Sequence, residues 1–594
     1  MRETGDKIVI ETAAGRLRVR EKDIELLHPG PVANLSELSG RLPEGFAEEA
    51  WELFIEEEAA PSLRELCELA GGWTANNAWQ IWLLISDGLY FEGSLDALRP
   101  KNRKEVEAEK ARRGEKQAET AARSLFLSRF KTKKLELPAD SKFMQDIEAL
   151  ALGKSSKSRT MKEAGFEETP ESAHKLLLET GFWTEYVNPY PSRFNISFFQ
   201  PKEDVPPPPD EDRLDLTHLD AYAIDDEESS DPDDAVSLEP LASGQTLYVH
   251  IADPSASILP DSASDREARS RGATFYAPEG IARMLGGGAL DYYALGIKER
   301  SPALTIKLTL KEDGAPAQTE IFRSVLKVTR LSYESASKLK ALSPLCELAQ
   351  NNLRRRIMAG AAQIDFPEVQ IKVKDGHVNI IAREDYSSRS MVRECMLIAG
   401  EGIAAWALER RIPFPFISQQ IEALPKEVLP GLAGYYQLRR CMRPRVLSVK
   451  PGFHEGLGLD IYTQGTSPLR RYTDLLVHQQ INSVLRGENV LGEEELLMRL
   501  VAAERAAQEV SKAERASRAH WTAVYLSEKK GEVFEATVMD LRGAHAVVFV
   551  PALGLETQAS IPHGTQVEPN SKILLKVAGV RIPEAEIRWT TVEV

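Results

Sequence analysis

The sequence predicts a multidomain α+β chain: a small N-terminal β unit, a helix-turn-helix of winged type, a large α+β domain and a C-terminal barrel of OB-fold type. Three observations carry that expectation. Alternating apolar residues near the N-terminus give way to a helical period from Ser62. The tract Val205-Pro206-Pro207-Pro208-Pro209-Asp210 opens a long mixed stretch of strands and helices, and the tail from Gly531 returns to short strands punctuated by glycine. At 594 residues the chain has room for roughly four domains of ordinary size.

Residues 1–60 read as the β unit, from the alternation in Lys7-Ile8-Val9-Ile10-Glu11 and Arg16-Leu17-Arg18-Val19-Arg20, broken by Gly15 and Pro29-Gly30-Pro31. Over 61–98, Leu63, Leu66, Leu69 and Ala70 precede Gly71-Gly72, and Ala78, Ile81, Trp82 and Ile85 follow it, so two helices flank a glycine turn before a short strand at Leu89-Tyr90-Phe91-Glu92. Segment 99–204 starts strongly basic, with thirteen Lys/Arg against five Glu between residues 99 and 134, and continues as a second, mostly helical unit. That basic run fits either a phosphate backbone or a solvated helical face laced with Glu/Lys pairs. Residues 205–212 are a polyproline linker. Residues 213–530 form the large domain, with strands near 246–251 and 303–310 and helices near 391–410 and 493–529. Residues 531–594 form the barrel, from Val533, Phe534, Ala536 and Val538 and then Ala546, Val547, Val548 and Phe549.

Composition excludes several classes of function. The densest apolar run, at 79–85, is far short of a membrane span. Met-Arg-Glu-Thr-Gly-Asp-Lys carries no apolar segment behind it, and Glu3 and Asp6 are unlike a transit peptide, so a cytoplasmic protein is expected. Cys67, Cys346, Cys395 and Cys441 are too dispersed for a CxxC metal site or a disulfide framework. The net charge of −16 argues mildly against a polyanionic partner, and only the basic segment opposes it.

The most informative stretch is Ile224-Asp225-Asp226-Glu227-Glu228-Ser229-Ser230-Asp231-Pro232-Asp233-Asp234-Ala235, with seven carboxylates in ten positions. Crowded carboxylates raise one another's pKa unless a cation neutralises them, and oxygen donors select Mg²⁺ or Mn²⁺. An EF-hand is excluded because neither register supplies its glycine. A solvated acidic loop explains the run equally well. A second stretch, Thr466-Ser467-Pro468-Leu469-Arg470-Arg471-Tyr472-Thr473-Asp474, predicts a helix with Ser467 as N-cap and Pro468 at its first position. Arg470 and Arg471 then sit in the first turn, where the helix dipole disfavours cations unless a phosphate docks there. An Arg470–Asp474 pair is the alternative.

These residues carry a resemblance to the ribonuclease II/ribonuclease R family of 3′→5′ exoribonucleases, the RNB family. Its acidic signature is matched by Asp225, Asp231, Asp233, Asp234 and Ala235. Val249-His250-Ile251-Ala252-Asp253 follows, then Asp265, Glu267, Ala268, Arg271 and Tyr276-Ala277-Pro278, and finally Gly456-Leu457-Gly458-Leu459 leading into the 466–472 motif. The resemblance implies an RNB-type catalytic domain, an S1-like RNA-binding barrel, and a processive, hydrolytic, Mg²⁺-dependent enzyme that degrades single-stranded RNA to nucleoside 5′-monophosphates as a monomer. It implies metal ligation by Asp225, Asp231, Asp233 and Asp234, with Asp233 essential for cleavage and Arg470, next to Arg471, steadying the scissile phosphate. Tyr276 and Phe366 resemble a pair that clamps bases by stacking, Tyr333 and Glu394 resemble sugar contacts, and Glu514 matches the glutamate of an "ER" pair. For Phe366 core packing, and for Glu514 a structural pair with Arg515, remain open.

Two departures stand out. A β unit and helix-turn-helix replace the two cold-shock folds usual before the catalytic domain, and Arg283-Met284-Leu285-Gly286-Gly287-Gly288 and Tyr292-Tyr293-Ala294-Leu295 differ from the usual motifs. The alternatives are a catalytically inactive RNA-binding regulator with the same fold, and a DNA-binding transcription factor. Retention of the four aspartates and Arg470 weighs against the first, and the acidic net charge against the second.

Overall fold

The computed structural model describes residues 7–592 except 13–14, 96, 242–243 and 562–566. The chain divides into two compact units, Met1–Lys134 and Leu135–Val594.

The first unit opens with the hairpin Lys7–Thr12/Gly15–Arg20, paired Lys7 to Arg20. The rest of the predicted β unit is not β: Phe46–Glu56 is a helix that buries Phe46, Ala50, Trp51 and Phe54, a helical spacing. Helices Leu63–Leu69 and Ala75–Asp87 follow, the first closed by a Ser62/Glu65 capping box and the second capped by Thr74. A small hairpin, Phe91–Ser94/Ala97–Pro100, supplies the wing. Its Phe91 packs into one core with Leu66, Cys67, Ile81 and Val106. The basic segment is a helix, Arg103–Lys131. Part of its charge is neutralised within the unit, by Lys110–Glu48 at 2.7 Å and Arg113–Asp87 at 2.8 Å.

The second unit begins with short helices, including Ser141–Ala151 and Pro170–Glu179. The proline tract is not a free spacer. Val205 is buried and its N–H donates to Gly287 O at 2.8 Å, while Pro206 O accepts from Ser257 and Tyr293.

The core of this unit is a seven-stranded mixed sheet. Its order is Val328–Ser332, Ala221–Asp225, Asp234–Leu241, Gly244–Ala252, Ser301–Leu310, Pro316–Leu326 and Leu214–Asp215. Strand alternation sends Ile224, Val236, Val249, Ile251, Leu304 and Ile306 into one core with Met391, Cys395 and Ile398 of helix Ser387–Glu409. Helix Tyr472–Arg486 and the 35-residue helix Glu493–Ser527 pack on a second core through Leu475, Leu476, Leu496 and Leu500.

The tail forms a five-stranded antiparallel barrel, ordered Leu555–Ser560, His545–Val550, Val533–Arg542, Lys572–Arg581 and Glu586–Val592. Thr591 Oγ1 donates to Ser560 O at 2.6 Å and draws the end strands together, as the OB-type expectation requires. Among the described residues, no helix is long and apolar enough to cross a membrane.

Candidate active site

The acidic run is the loop between two neighbouring strands of the large sheet. Asp225 ends Ala221–Asp225 and Asp234 begins Asp234–Leu241, so sheet pairing sets Asp225 beside Asp233 and Asp234. Asp233 is buried. Its Oδ1 accepts from Leu469 N at 2.8 Å and its Oδ2 from Arg470 Nε at 3.2 Å. Loss of hydration pushes its carboxyl up to about 8, against the opposing pull of Arg470 and the Leu469 N–H. Asp234 rises to about 6, chiefly by the same desolvation and further by the charge on Asp225.

The arginine stretch departs from the predicted capping. The helix begins at Tyr472, with Arg471 as an extended N-cap residue at φ −134°, and Ser467–Arg471 is a turn in front of it. Asp474 explains the shift. This buried carboxylate accepts from Ser467 N at 2.9 Å and from Arg471 Nη2 at 2.6 Å, so it closes the turn that Ser467 was expected to cap, and it pairs with Arg471 rather than Arg470.

The turn is also stitched to the segment that carries Tyr276. Thr274 N donates to Arg470 O and Tyr472 N to Gly272 O, both at 3.0 Å, around an antiparallel bridge between Ala273 and Arg471. Gly272, at φ +71°, is the one residue type that fits there: a Cβ would lie 2.5 Å from Ala507 N and 2.8 Å from Ala503 O of the long helix.

Asp225, Asp233, Asp234, Tyr333, Arg470 and Arg471 line one cavity of about 300 Å³. Tyr276 and Phe366 line a larger channel of about 1,090 Å³, with Lys372, Arg383, Arg439 and Arg518. Phe366 is also a packing residue: its ring lies 5.3 Å from that of Phe549, with the Arg439 guanidinium 5.0 Å from its centre.

Three expected site residues are placed differently. Asp231 accepts from Tyr276 Oη at 2.7 Å and from Arg283 at 3.2 Å, outside the small cavity. Glu394 is not brought to the cavity; its buried carboxylate accepts from Arg356 at 2.5 and 2.9 Å and from Asn352 at 2.8 Å. Glu514 accepts from Tyr276 N at 2.9 Å and so holds the Tyr276 strand. Arg389, which nothing in the sequence singled out, stacks 4.1 Å from the centre of the Tyr333 ring and bonds Asp226 at 2.9 Å.

Among the described residues, no three His, Cys, Asp or Glu side chains converge closely enough to hold an ion, so the four aspartates do not form a ready ligand set. Their chemistry fits one even so. The donors are carboxylate oxygens, and Asp233 and Asp234 are held in a place where ionisation is costly, a cost that a hard divalent cation offsets.

The mixed sheet sets paired aspartates against an arginine turn, and the channel beside them reaches the OB-type barrel. Residues 213–487 match the RNB domain and residues 106–189 a double HTH domain. The chain is 30% identical to an uncharacterized ribonuclease of Synechocystis sp., over 98% of this chain and 95% of that one. It is 27% identical to the chloroplastic/mitochondrial ribonuclease II of Arabidopsis thaliana, over 93% and 77%. Among solved structures, an active-site mutant of the Dss1 exoribonuclease from Candida glabrata matches with TM-score 0.68 at 16% identity, over 92% and 88%. The pseudonuclease Ssd1 of yeast matches with TM-score 0.53 at 17% identity, over 65% and 56%. The chain belongs to the RNB family of ribonucleases, with an N-terminal HTH region.

Proposed function

We propose that this protein is a hydrolytic 3′→5′ exoribonuclease that degrades single-stranded RNA processively to nucleoside 5′-monophosphates. The observation that carries the reading is the buried Asp233 paired with a half-exposed Arg470 on the wall of a cavity they share with Asp225 and Asp234. The 3′ end threads along the channel, where Tyr276 and Phe366 offer faces on which any base stacks. The last nucleotide enters the small cavity, and Arg470 holds the non-bridging oxygens of its 5′ phosphate. Water attacks that phosphorus and the bond to O3′ of the preceding ribose breaks, leaving a 5′-monophosphate and a new 3′ hydroxyl. A divalent ion, Mg²⁺ or Mn²⁺, held by Asp225, Asp231, Asp233 and Asp234, would neutralise phosphate charge and lower the pKa of the attacking water.

A second reading, an inactive RNA-binding regulator, draws support from the fold likeness to a pseudonuclease. The test is release of mononucleotides from 5′-labelled and 3′-labelled single-stranded RNA with Mg²⁺, beside Asp233→Asn. Immediate release of the 3′ label by wild type, with binding but no release by the variant, supports the enzyme. Equal inactivity of the two overturns it in favour of the regulator.

A further inference from the structure

Among the described residues, the small cavity and the larger channel share one cation. Arg393 lines both, one helical turn beyond Arg389 on helix Ser387–Glu409. The other described arginines of the small cavity are committed to carboxylates: Arg389 to Asp226 at 2.9 Å, Arg470 to Asp233 at 3.2 Å and Arg471 to Asp474 at 2.6 Å. Arg393 is not. Its nearest carboxylate oxygen, on Glu394, lies 3.9 Å from Nε, and Arg356 already binds that oxygen at 2.5 Å. Among the described residues its side chain makes one hydrogen bond, from Nη2 to Ser390 Oγ at 3.3 Å, and 55% of that side chain is exposed. A guanidinium carries five N–H donors in a planar fork that matches a phosphate edge, and Arg393 commits one of them to Ser390 while lining both cavities.

We propose that Arg393 is a phosphate-binding subsite that grips the first phosphodiester upstream of the scissile one. The inference rests on the exoribonuclease reading above. The register follows from size and position. A cavity of about 300 Å³ lies at the small end of ligand pockets, room for the terminal nucleotide alone. The scissile phosphate then lies at Arg470, and the next phosphate is the one that crosses from channel to cavity past Arg393. Gripping it sets how far the chain advances between cuts. The ligand is a diester with one negative charge, so recognition depends on backbone charge and not on base.

The test uses the full-length protein and single-stranded oligoribonucleotides in which one phosphate at a time is made a neutral methylphosphonate. In wild type, neutralising the first phosphate upstream of the scissile position raises KM about tenfold, the scale of one charge-assisted bond. In Arg393→Ala that penalty disappears at this position alone, and penalties elsewhere persist. The variant raises KM for unmodified RNA by a larger factor than it lowers kcat, and the slope of log KM against log salt shrinks by about 0.7, one single-strand phosphate contact. Arg393→Lys keeps the charge and restores part of the penalty. An identical scan in wild type and Arg393→Ala overturns the inference, as does a uniform weakening across all positions, which marks a general field. If wild type itself releases no mononucleotides, it is the exoribonuclease reading that fails.

Discussion

The hydroxyl of Tyr276 donates a 2.7 Å hydrogen bond to Asp231, so an aromatic residue of the channel and a carboxylate of the acidic loop are tied to each other. Two substitutions separate the functions of this tyrosine. Tyr276→Phe keeps the ring and removes one of the two donors on Asp231 Oδ2, leaving Arg283 as the other. Mn²⁺ binding followed by titration calorimetry should tighten in that variant, while RNA affinity holds. Tyr276→Ala removes the stacking face, worth about 1–3 kcal/mol per base, and should raise KM by roughly tenfold to a hundredfold. Loosened Mn²⁺ binding by Tyr276→Phe would show that the hydroxyl supports the carboxylate instead of competing for it.

Arg470 contributes charge and geometry together. Its Nε meets Asp233 and its Nη2 donates to Ser467 Oγ at 3.0 Å, which fixes the plane of the guanidinium. Lysine cannot make both contacts from one planar group. Arg470→Lys should therefore lower kcat by about a hundredfold or more, the scale of losing one aligned electrostatic donor, with a much smaller change in KM. Single-turnover rates at saturating RNA check this, and a purely KM effect would reassign Arg470 to binding.

The acidic loop was legible because seven carboxylates in ten residues need a cause. The arginine turn was only half legible. Ser467-Pro468 has the local form of a helix start, but Asp474, seven residues on, and the bridge to Ala273, about two hundred residues away in sequence, decide where the helix begins. Glu394 shows the same limit: a matching residue in a motif was turned toward Arg356 by a contact that no local pattern encodes. The proline tract has the composition of a spacer, and it packs because Gly287 and Tyr293 offer partners to its backbone.

Asp474 offers a stability test of that turn. Its carboxylate is fully buried and bonded to Ser467 N and to Arg471. Asp474→Ala leaves both donors without their acceptor and should cost about 2–4 kcal/mol, visible as a lower Tm by calorimetry. Because Ser467 and Arg470 belong to the same turn, kcat should fall in parallel at temperatures where the variant is still folded. A variant with a lowered Tm and unchanged kcat would separate the turn from catalysis.

Acid stability should be governed in part by a buried pair of histidines. His174, on helix Pro170–Glu179, and His520, on the long helix, lie with ring centres 6.0 Å apart and both side chains are buried. Among the described residues, no group meets a ring nitrogen of either histidine in good hydrogen-bond geometry, the Glu185 backbone making only a weak approach to His520. Burial, with Arg193 adding to it, lowers His174 to about 4; burial, then His174 and Arg193, lowers His520 to about 3, against the weaker opposing effect of the Glu185 backbone. Above pH ~6.5 both rings are neutral whether the chain is folded or not, and the pair has no effect on pH dependence. As pH falls below ~6.5 the unfolded chain takes up protons that the folded chain refuses, so stability declines with falling pH until the folded-state values near 4 and 3 are reached. For His174 alone the loss approaches roughly 3 kcal/mol. The measurement is Tm between pH 7 and pH 4 for wild type and His174→Phe, a replacement that strands no polar partner. The variant should lose part of the acid-side decline, and parallel Tm curves would place the acid sensitivity elsewhere.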